Sequence, residues 1–206
     1  MIGDLLDQIR VLLQNYFNDG SSDPNANQPD NVVLKNIAFI DAFNTRKSNI
    51  GDELIISLVG IEEEKTLRYA KTTTVFPATD GNPNNSTVVT HHPVIYLNTY
   101  LLFSANNTSG DRGYQVALNQ ISAVINFFQR QHIFTSSDMT LPADMDRVVF
   151  ELCSLSFEQK NHLWGVLGGK YIPSVLYKAR IFPHEDVRDT DGAGRILRER
   201  ANSNVL

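Results

Sequence analysis

Apolar residues recur at three- and four-residue spacing in three stretches of the chain, and this spacing predicts three amphipathic helices. The predicted helices cover residues 2–17, 114–131 and 157–167. The first has its apolar side made of Ile2, Leu5, Leu6, Ile9, Leu12, Leu13, Tyr16 and Phe17. The second is expected to be the main core helix because its apolar stripe is the broadest, with Ala117, Leu118, Ile121, Val124, Ile125 and Phe128.

The third predicted helix has signals at both ends. Ser156 and Gln159 have the spacing of a capping box, in which each side chain accepts from the other residue's backbone N–H. Gly168 and Gly169 follow the last apolar positions, and glycine readily adopts the left-handed conformation that ends many helices. Trp164 lies on the apolar face of this helix and is expected to pack in the core.

Other stretches of the chain show the alternation of apolar and polar residues that is typical of β-strands. These stretches lie near residues 32–40, 54–61, 94–104, 147–154 and 174–182. Residues 94–104 are apolar on both faces, which favours a strand in the middle of a layered structure. Three consecutive glutamates at 62–64 indicate a solvated edge or turn, and a continuation of the 54–61 strand to Leu67 and Tyr69 also fits the pattern.

This order of elements predicts one α+β domain over residues 1–183, in which a mixed, mostly antiparallel sheet is flanked by the helices. Residues 18–31 and 77–86 are rich in Gly, Ser, Asn, Asp and Pro and are predicted to be loops. Residues 184–206 are acidic in their first part and basic in their second, and they contain few core-forming side chains. We expect them to form a flexible charged tail.

The composition excludes several classes of partner. The chain of 206 residues has a formal net charge of -5, which argues against non-specific binding to nucleic acid or to an anionic membrane. Asp4 and Asp7 lie close to the N-terminus without a basic cluster, so we expect no signal peptide. Cys153 is the only cysteine and cannot form an intramolecular disulfide, which fits synthesis in the reducing cytoplasm.

Candidate chemical groups in the sequence do not have the spacing of catalytic, cofactor or metal sites. Lys170 follows two glycines, but these come after a helix, whereas a phosphate-binding loop precedes one. His91 and His92 are adjacent at a strand entry and would point to opposite faces. Cys153 lies within a predicted strand, which favours a small buried core residue. An enzyme that uses Cys153 or the histidine pair, and a small-molecule-binding module, stay open as alternatives.

Three segments, read in this order, resemble a known family: HPVIYLNTYLLFSANN, YQVALNQISAVINFFQ and FELCSLSFEQKNHLWGVLGGKYIPSVLYKARI. The chain resembles the cap, or tail-terminator, proteins of phage-tail-like contractile injection systems of the antifeeding-prophage type. The resemblance extends from Met1 to about Phe182. Its most specific residues are Leu155, Phe157, Glu158, Trp164, Leu167, Gly168, Tyr171, Pro173, Ser174 and Tyr177. Longer members of the family carry a further C-terminal region, which we do not expect in this chain.

The resemblance implies a structural protein made in the bacterial cytoplasm, without a cofactor, metal or catalytic residue. Such a protein forms a homohexameric ring on the distal end of the inner tube and sheath of a particle that is either released or anchored. We therefore expect the inner tube protein, the sheath protein and further copies of this chain as partners. The candidate interface residues are the cations of the last strand and of the tail: Lys178, Arg180, Arg195, Arg198 and Arg200.

Overall fold

The computed structural model describes residues 1–19, 31–39, 53–64, 73–76, 87–90, 95–106, 111–168 and 171–183. The chain divides into two compact units. The larger unit contains Met1–Thr66 and Tyr96–His184, and the smaller one contains Leu67–Ile95 and Glu185–Leu206. In the described part of the smaller unit, two strands form an antiparallel pair, and we number them β3 (Thr73–Phe76) and β4 (Thr87–Thr90).

The larger unit combines helices with a sheet. Its helices are α1 (Ile2–Asn18), α2 (Gly113–Arg130) and α3 (Phe157–Val166). Its strands are β1 (Asn31–Leu34), β2 (Glu53–Glu63), β5 (Leu97–Asn106), β6 (Ile133–Thr135), β7 (Met145–Cys153) and β8 (Ser174–Pro183). A 3-10 helix, Ile37–Phe39, follows β1.

The six strands form one mixed sheet in the order β1-β2-β5-β8-β7-β6. β1 and β2 are parallel, and the other neighbouring pairs are antiparallel. β5 lies inside the sheet, with Leu101 and Phe103 buried on one face and Leu102 buried on the other. The predicted α+β fold and the predicted interior position of this strand are therefore confirmed.

One face of the sheet packs against α1 and α2, and we call the buried cluster there the first core. α1 contributes Leu5, Ile9, Leu13 and Phe17, each fully buried. Gln14 Oε1 accepts a hydrogen bond of 2.7 Å from the backbone N–H of Val32, which ties α1 to β1. The apolar stripe predicted for residues 2–17 is thus the surface that joins this helix to the sheet.

Phe128 of α2 is the centre of an aromatic cluster in the first core. Its ring centroid lies 4.5 Å from that of Phe150 and 4.6 Å from that of Tyr177. Edge-to-face contacts add Phe103 at 5.4 Å and Phe134 at 6.3 Å. Rings at these separations interact favourably beyond their area burial. The cluster joins α2 to four strands, which makes it the main packing contact between this helix and the sheet.

The opposite face of the sheet carries a smaller buried cluster, which we call the second core. Its members are Ile37, Ile55, Leu102, Trp164 and Leu176. Trp164 is the one buried residue of α3, whereas Phe157 and Val166 are 91% and 85% exposed. α3 therefore covers this face through one side chain and its partly buried neighbours, which is less than the sheet-covering role that we expected of it.

The ends of α3 confirm the sequence signals. The backbone N–H of Gln159 donates to Ser156 Oγ at 3.2 Å, and the backbone N–H of Ser156 donates to Gln159 Oε1 at 2.9 Å. Gly168 has a φ of 107°, the left-handed conformation that only glycine adopts without strain. A helix with so little buried surface depends on such local signals for its boundaries.

The strand predicted over 32–40 is shorter than expected. β1 ends at Leu34, and the chain turns because side chains satisfy its backbone: Ser57 Oγ donates to Lys35 O at 2.6 Å and accepts from the N–H of Ile37 at 3.2 Å. Asn36 Oδ1 accepts from the N–H of Ala38 at 3.0 Å, which favours a turn at this position.

Three strands were not predicted. β6 has three residues and β3 and β4 have four each, too few for an alternating pattern to stand out in the sequence. The strand expected from residue 94 begins at Leu97 and extends to Asn106. The suggested continuation of β2 to Leu67 and Tyr69 lies outside the described residues.

Candidate partner interface

A row of charged side chains crosses the second face of the sheet beside the second core. Lys178 Nζ of β8 lies 2.7 Å from Glu151 Oε2 of β7. Arg180 of β8 lies 3.3 Å from the same carboxylate and 3.6 Å from Glu64. The side chains of Lys178 and Arg180 are 21% and 26% exposed. Both candidate cations of the last strand are thus held by carboxylates of their own sheet.

The position of β8 limits how a partner can meet it. β8 lies between β5 and β7, so its backbone groups are used on both sides. A strand in this position cannot accept an added strand, because only edge strands present unpaired backbone groups. A partner would therefore contact the side chains of Lys178 and Arg180 on the sheet face and would compete with Glu151 and Glu64 for them.

The polar row continues onto β5 and β2. Asn98 Nδ2 donates to Glu64 Oε2 at 2.9 Å, and the Tyr100 hydroxyl donates to Glu62 Oε2 at 2.9 Å. The bond to Glu62 raises the pKa of Tyr100 to about 12, since ionisation would place two anions together. Glu64 is 11% exposed, so the expected solvated edge holds for Glu62 and Glu63 and is wrong for Glu64.

A cleft with a volume of about 230 Å³ opens between α3 and the adjoining ends of β7 and β8. Its walls are mainly apolar and include Leu102, Leu155, Trp164, Tyr171 and Leu176. Trp164 and Tyr171 meet edge to face at 5.6 Å. The amino-acid pattern does not predict this cleft, because the cleft forms where α3 buries only Trp164 against the sheet, and no periodic pattern encodes that limited contact.

Cys153 lies at the wall of this cleft and is only partly buried, so the expectation of a buried core cysteine is wrong. The cause is its place at the end of β7, where α3 leaves the sheet partly uncovered. Burial raises the pKa of the Cys153 thiol, with smaller opposing effects from Lys178. The thiol is therefore protonated and weakly nucleophilic at neutral pH, and no described histidine lines the cleft.

Several candidate residues fall outside the described part of the chain. They are His91, His92, Lys170, Arg195, Arg198 and Arg200. Within the described ranges, no three His, Cys, Asp or Glu side chains are close enough together to hold a metal ion. The helices of the same ranges are too short or too polar to cross a bilayer.

Comparisons with known proteins give one family match and two similar structures. A family model described as the Pvc16 N-terminal domain matches residues 4–198. The anti-feeding prophage cap, a tube-terminating cap solved by cryo-EM, is similar over 100% of this chain and 62% of its own, with a TM-score of 0.53 and 12% identity. The PVC sheath/tube terminator of an extracellular contractile injection system is similar over 93% of this chain and 64% of its own, with a TM-score of 0.44 and 16% identity.

This chain spans under two thirds of the length of both structures. No curated protein matches it. The similarity to the anti-feeding prophage cap agrees with the α+β architecture described above. The family model extends over nearly the whole sequence and includes both compact units. The chain therefore belongs to the Pvc16 N-terminal domain family.

Proposed function

We propose that this protein is the terminator that ends the tube and sheath of a contractile injection particle. The observation that carries the proposal is the match of residues 4–198 to the Pvc16 N-terminal domain family. The fold supports it, because the anti-feeding prophage cap with the same fold terminates a tube. Fold alone does not determine function, so the proposal is tested on the particle itself.

The proposed mechanism is steric. A cap bound to the last ring of inner tube protein covers the surface on which the next subunits would dock, and polymerisation then stops. Contact with the uppermost sheath ring fixes the sheath to the tube, so that contraction acts against a fixed end. These roles need rigid docking surfaces, and a sheet with cores on both faces provides them.

We propose that the cap is a homohexameric ring whose partners are the inner tube and sheath proteins. A ring needs two different patches on each subunit, because each copy contacts one neighbour through one patch and the other neighbour through the second. Such a head-to-tail contact forms a closed ring when the rotation between successive copies adds up to a full turn. Synthesis in the bacterial cytoplasm, and function without membrane or nucleic-acid contact, belong to the same proposal.

A structural role without catalysis or cofactor agrees with the chemistry of the cleft. Its volume of about 230 Å³ is below the roughly 300–1,000 Å³ of pockets that hold drug-sized ligands. The thiol at its wall has a raised pKa, which disfavours a nucleophile. The enzyme and the small-molecule module are therefore the weaker hypotheses.

Lys178, Arg180, Arg195, Arg198 and Arg200 remain our proposed contacts to a partner. We place the domain at 1–183 and the charged tail at 184–206. If the tail cations meet acidic rims on a neighbour, salt weakens the attraction. Truncation after Pro183 tests this directly: loss of sheath attachment at physiological salt supports a tail contact, and unchanged attachment contradicts it.

The terminator role is tested by locating the protein in the particle. An N-terminal peptide tag and gold-labelled antibody, viewed by negative-stain microscopy, should mark one end of each particle. Label along the sheath, or on the baseplate end, would contradict the proposal. Particles built with the untagged protein provide the background for the label.

A further inference from the structure

The cleft beside α3 combines apolar walls with one cation. Lys160 is the only charged residue among those that line it in the described part of the chain. The Lys160 ammonium lies 5.5 Å from the centroid of the Phe157 ring and forms no ion pair with a described carboxylate. Phe157, and Tyr171 of the cleft wall, are 91% and 62% exposed. Exposed apolar side chains grouped around a concave surface are typical of a protein-binding site.

This chain contains a segment with the complementary chemistry. Residues 185–191 follow β8 closely and have the sequence EDVRDTD. Four carboxylates and one arginine surround Val187, so the formal net charge of the segment is +1 − 4 = -3. A concentration of carboxylates attracts a cation that has no ion pair of its own, and valine suits an apolar wall. The segment lies outside the described residues, so its sequence and its distance along the chain from β8 limit where it can bind.

Chain length excludes the cleft of the same subunit. Among the β8 residues that line the cleft, Leu176 is the closest along the strand to Pro183, where β8 ends. Seven residues separate these two positions, which corresponds to about 23 Å at the rise of an extended strand. Val187 follows Pro183 by four residues and extends at most about 14 Å from it. Val187 therefore cannot enter its own cleft, whereas the cleft of a neighbouring copy has no such limit.

The cleft and the origin of the tail also lie at opposite ends of the β7–β8 pair. Cys153 of the cleft pairs with Leu176, and Met145 at the other end of β7 pairs with Pro183. One subunit thus carries a receiving surface at one end of the sheet and a donated segment at the other. A contact between two different patches is head-to-tail and can close a ring.

We propose that the cleft beside α3 receives Val187 from the tail of a second copy of this chain, with the carboxylates around Val187 against the ammonium of Lys160. Repetition of this contact joins the subunits of the cap. Arg195 lies eight residues beyond Val187, a span of up to about 28 Å, so the basic part of the tail stays available for the sheath. This inference rests on the proposed cap function.

The native composition provides a direct test, because Cys153 at the wall of the cleft is the only cysteine. In assembled particles that carry Val187→Cys, mild oxidation should join the introduced thiol to Cys153 of the next copy. The reaction is run at alkaline pH because burial raises the pKa of Cys153. Denaturing gels should then show a ladder of covalent oligomers, and Cys153→Ser in the same background should abolish every species above a dimer.

The control is Ser203→Cys, which places a thiol in the same tail but sixteen residues beyond Val187. It should give no ladder, and equal ladders from both variants would overturn the inference because they would show unspecific contact. If the terminal ring contains the Val187→Cys protein and no ladder forms, or if the products end at a dimer, the inference is overturned and the cap function stands. If the wild-type protein is absent from the particle end, both fail.

Charge reversal tests the role of Lys160 in the same assay. Lys160→Glu should lower the yield of the ladder by about tenfold or more, because it places a carboxylate against the carboxylates of the next copy. Asp186→Lys in the Lys160→Glu background should restore part of the yield. Arg112→Glu makes the same charge change at an exposed position before α2 and should leave the yield unchanged. Equal effects of Lys160→Glu and Arg112→Glu would overturn the inference.

Discussion

Lys178 and Glu151 are joined across the β7–β8 pair by an ion pair of 2.7 Å, and Arg180 reaches the same carboxylate at 3.3 Å. Glu151 therefore neutralises two cations that the sequence suggested as partner contacts. The pairing is partly exposed, since the Glu151 side chain is 41% accessible. Water screens such a pair, so it aligns the two cations more than it stabilises the fold.

Glu151→Gln should lower the free energy of unfolding by about 0.5–1 kcal/mol, the upper range for exposed ion pairs. The loss arises because two neighbouring cations are left without their shared carboxylate. Urea unfolding at low salt measures it, and 1 M NaCl should reduce the difference from wild type. Asp144→Asn at an exposed turn position before β7 is the charge-matched control and should have little effect. A loss that salt leaves unchanged would contradict this interpretation.

Phe128→Ala should lower the free energy of unfolding by about 3–5 kcal/mol, because it removes the ring at the centre of the aromatic cluster and leaves a cavity. Phe157→Ala is the control: the same change at a ring that is 91% exposed should cost under about 0.5 kcal/mol. Chemical denaturation measures both values. Similar losses of unfolding free energy in the two variants would contradict the central position of Phe128 in the aromatic cluster.

Gln120→Met should raise the free energy of unfolding by about 1–3 kcal/mol. The Gln120 side chain is fully buried in α2, and neither amide atom has a hydrogen-bond partner among the residues that the structure describes. An unsatisfied buried polar group costs free energy, and methionine has a similar shape without that cost. Thermal unfolding gives the direction of the change. A lower melting temperature in Gln120→Met would mean that the amide makes a stabilising bond.

Tyr100 should ionise about two pH units above the usual value for tyrosine, since Glu62 raises its pKa from 10.0 to about 12. The folded protein then keeps a proton that the unfolded chain loses, so this group's contribution to stability is complete below pH 10 and is lost as the pH rises to 12. Phenolate absorbance of wild type minus Tyr100→Phe measures the transition. Glu62→Gln should move it to lower pH, and an unmoved transition would contradict the assignment.

The sequence predicted the elements that bury a continuous apolar surface. α1, α2 and β5 each carry an apolar pattern that extends over ten or more residues. Trp164 of the second core could be assigned to a helix because that helix has clear signals at its ends. β6 was missed because three residues cannot show a period. The early end of β1 depends on a hydrogen bond to Ser57, a residue more than twenty positions away.

Less of the candidate interface than of the fold could be predicted from the sequence. Charge alone suggested Lys178 and Arg180, but their carboxylate partners come from β7 and from the residue after β2, and no local pattern reveals that pairing. The cleft needs the relative positions of α3, β5 and β8, which only the folded chain defines. One local signal was present: Val166 follows Trp164 by two positions and so lies on the far side of α3, where an apolar side chain is exposed.

The most direct test of the terminator function is the length distribution of tubes and sheaths from cells that lack this chain. Electron micrographs of negatively stained particles provide the measurement, with a complemented strain as the control. Without a cap, polymerisation has no fixed end, so we predict tubes of variable length and tubes without sheath. Particles of normal, uniform length with complete sheaths in the deletion strain would contradict the function proposed for this protein.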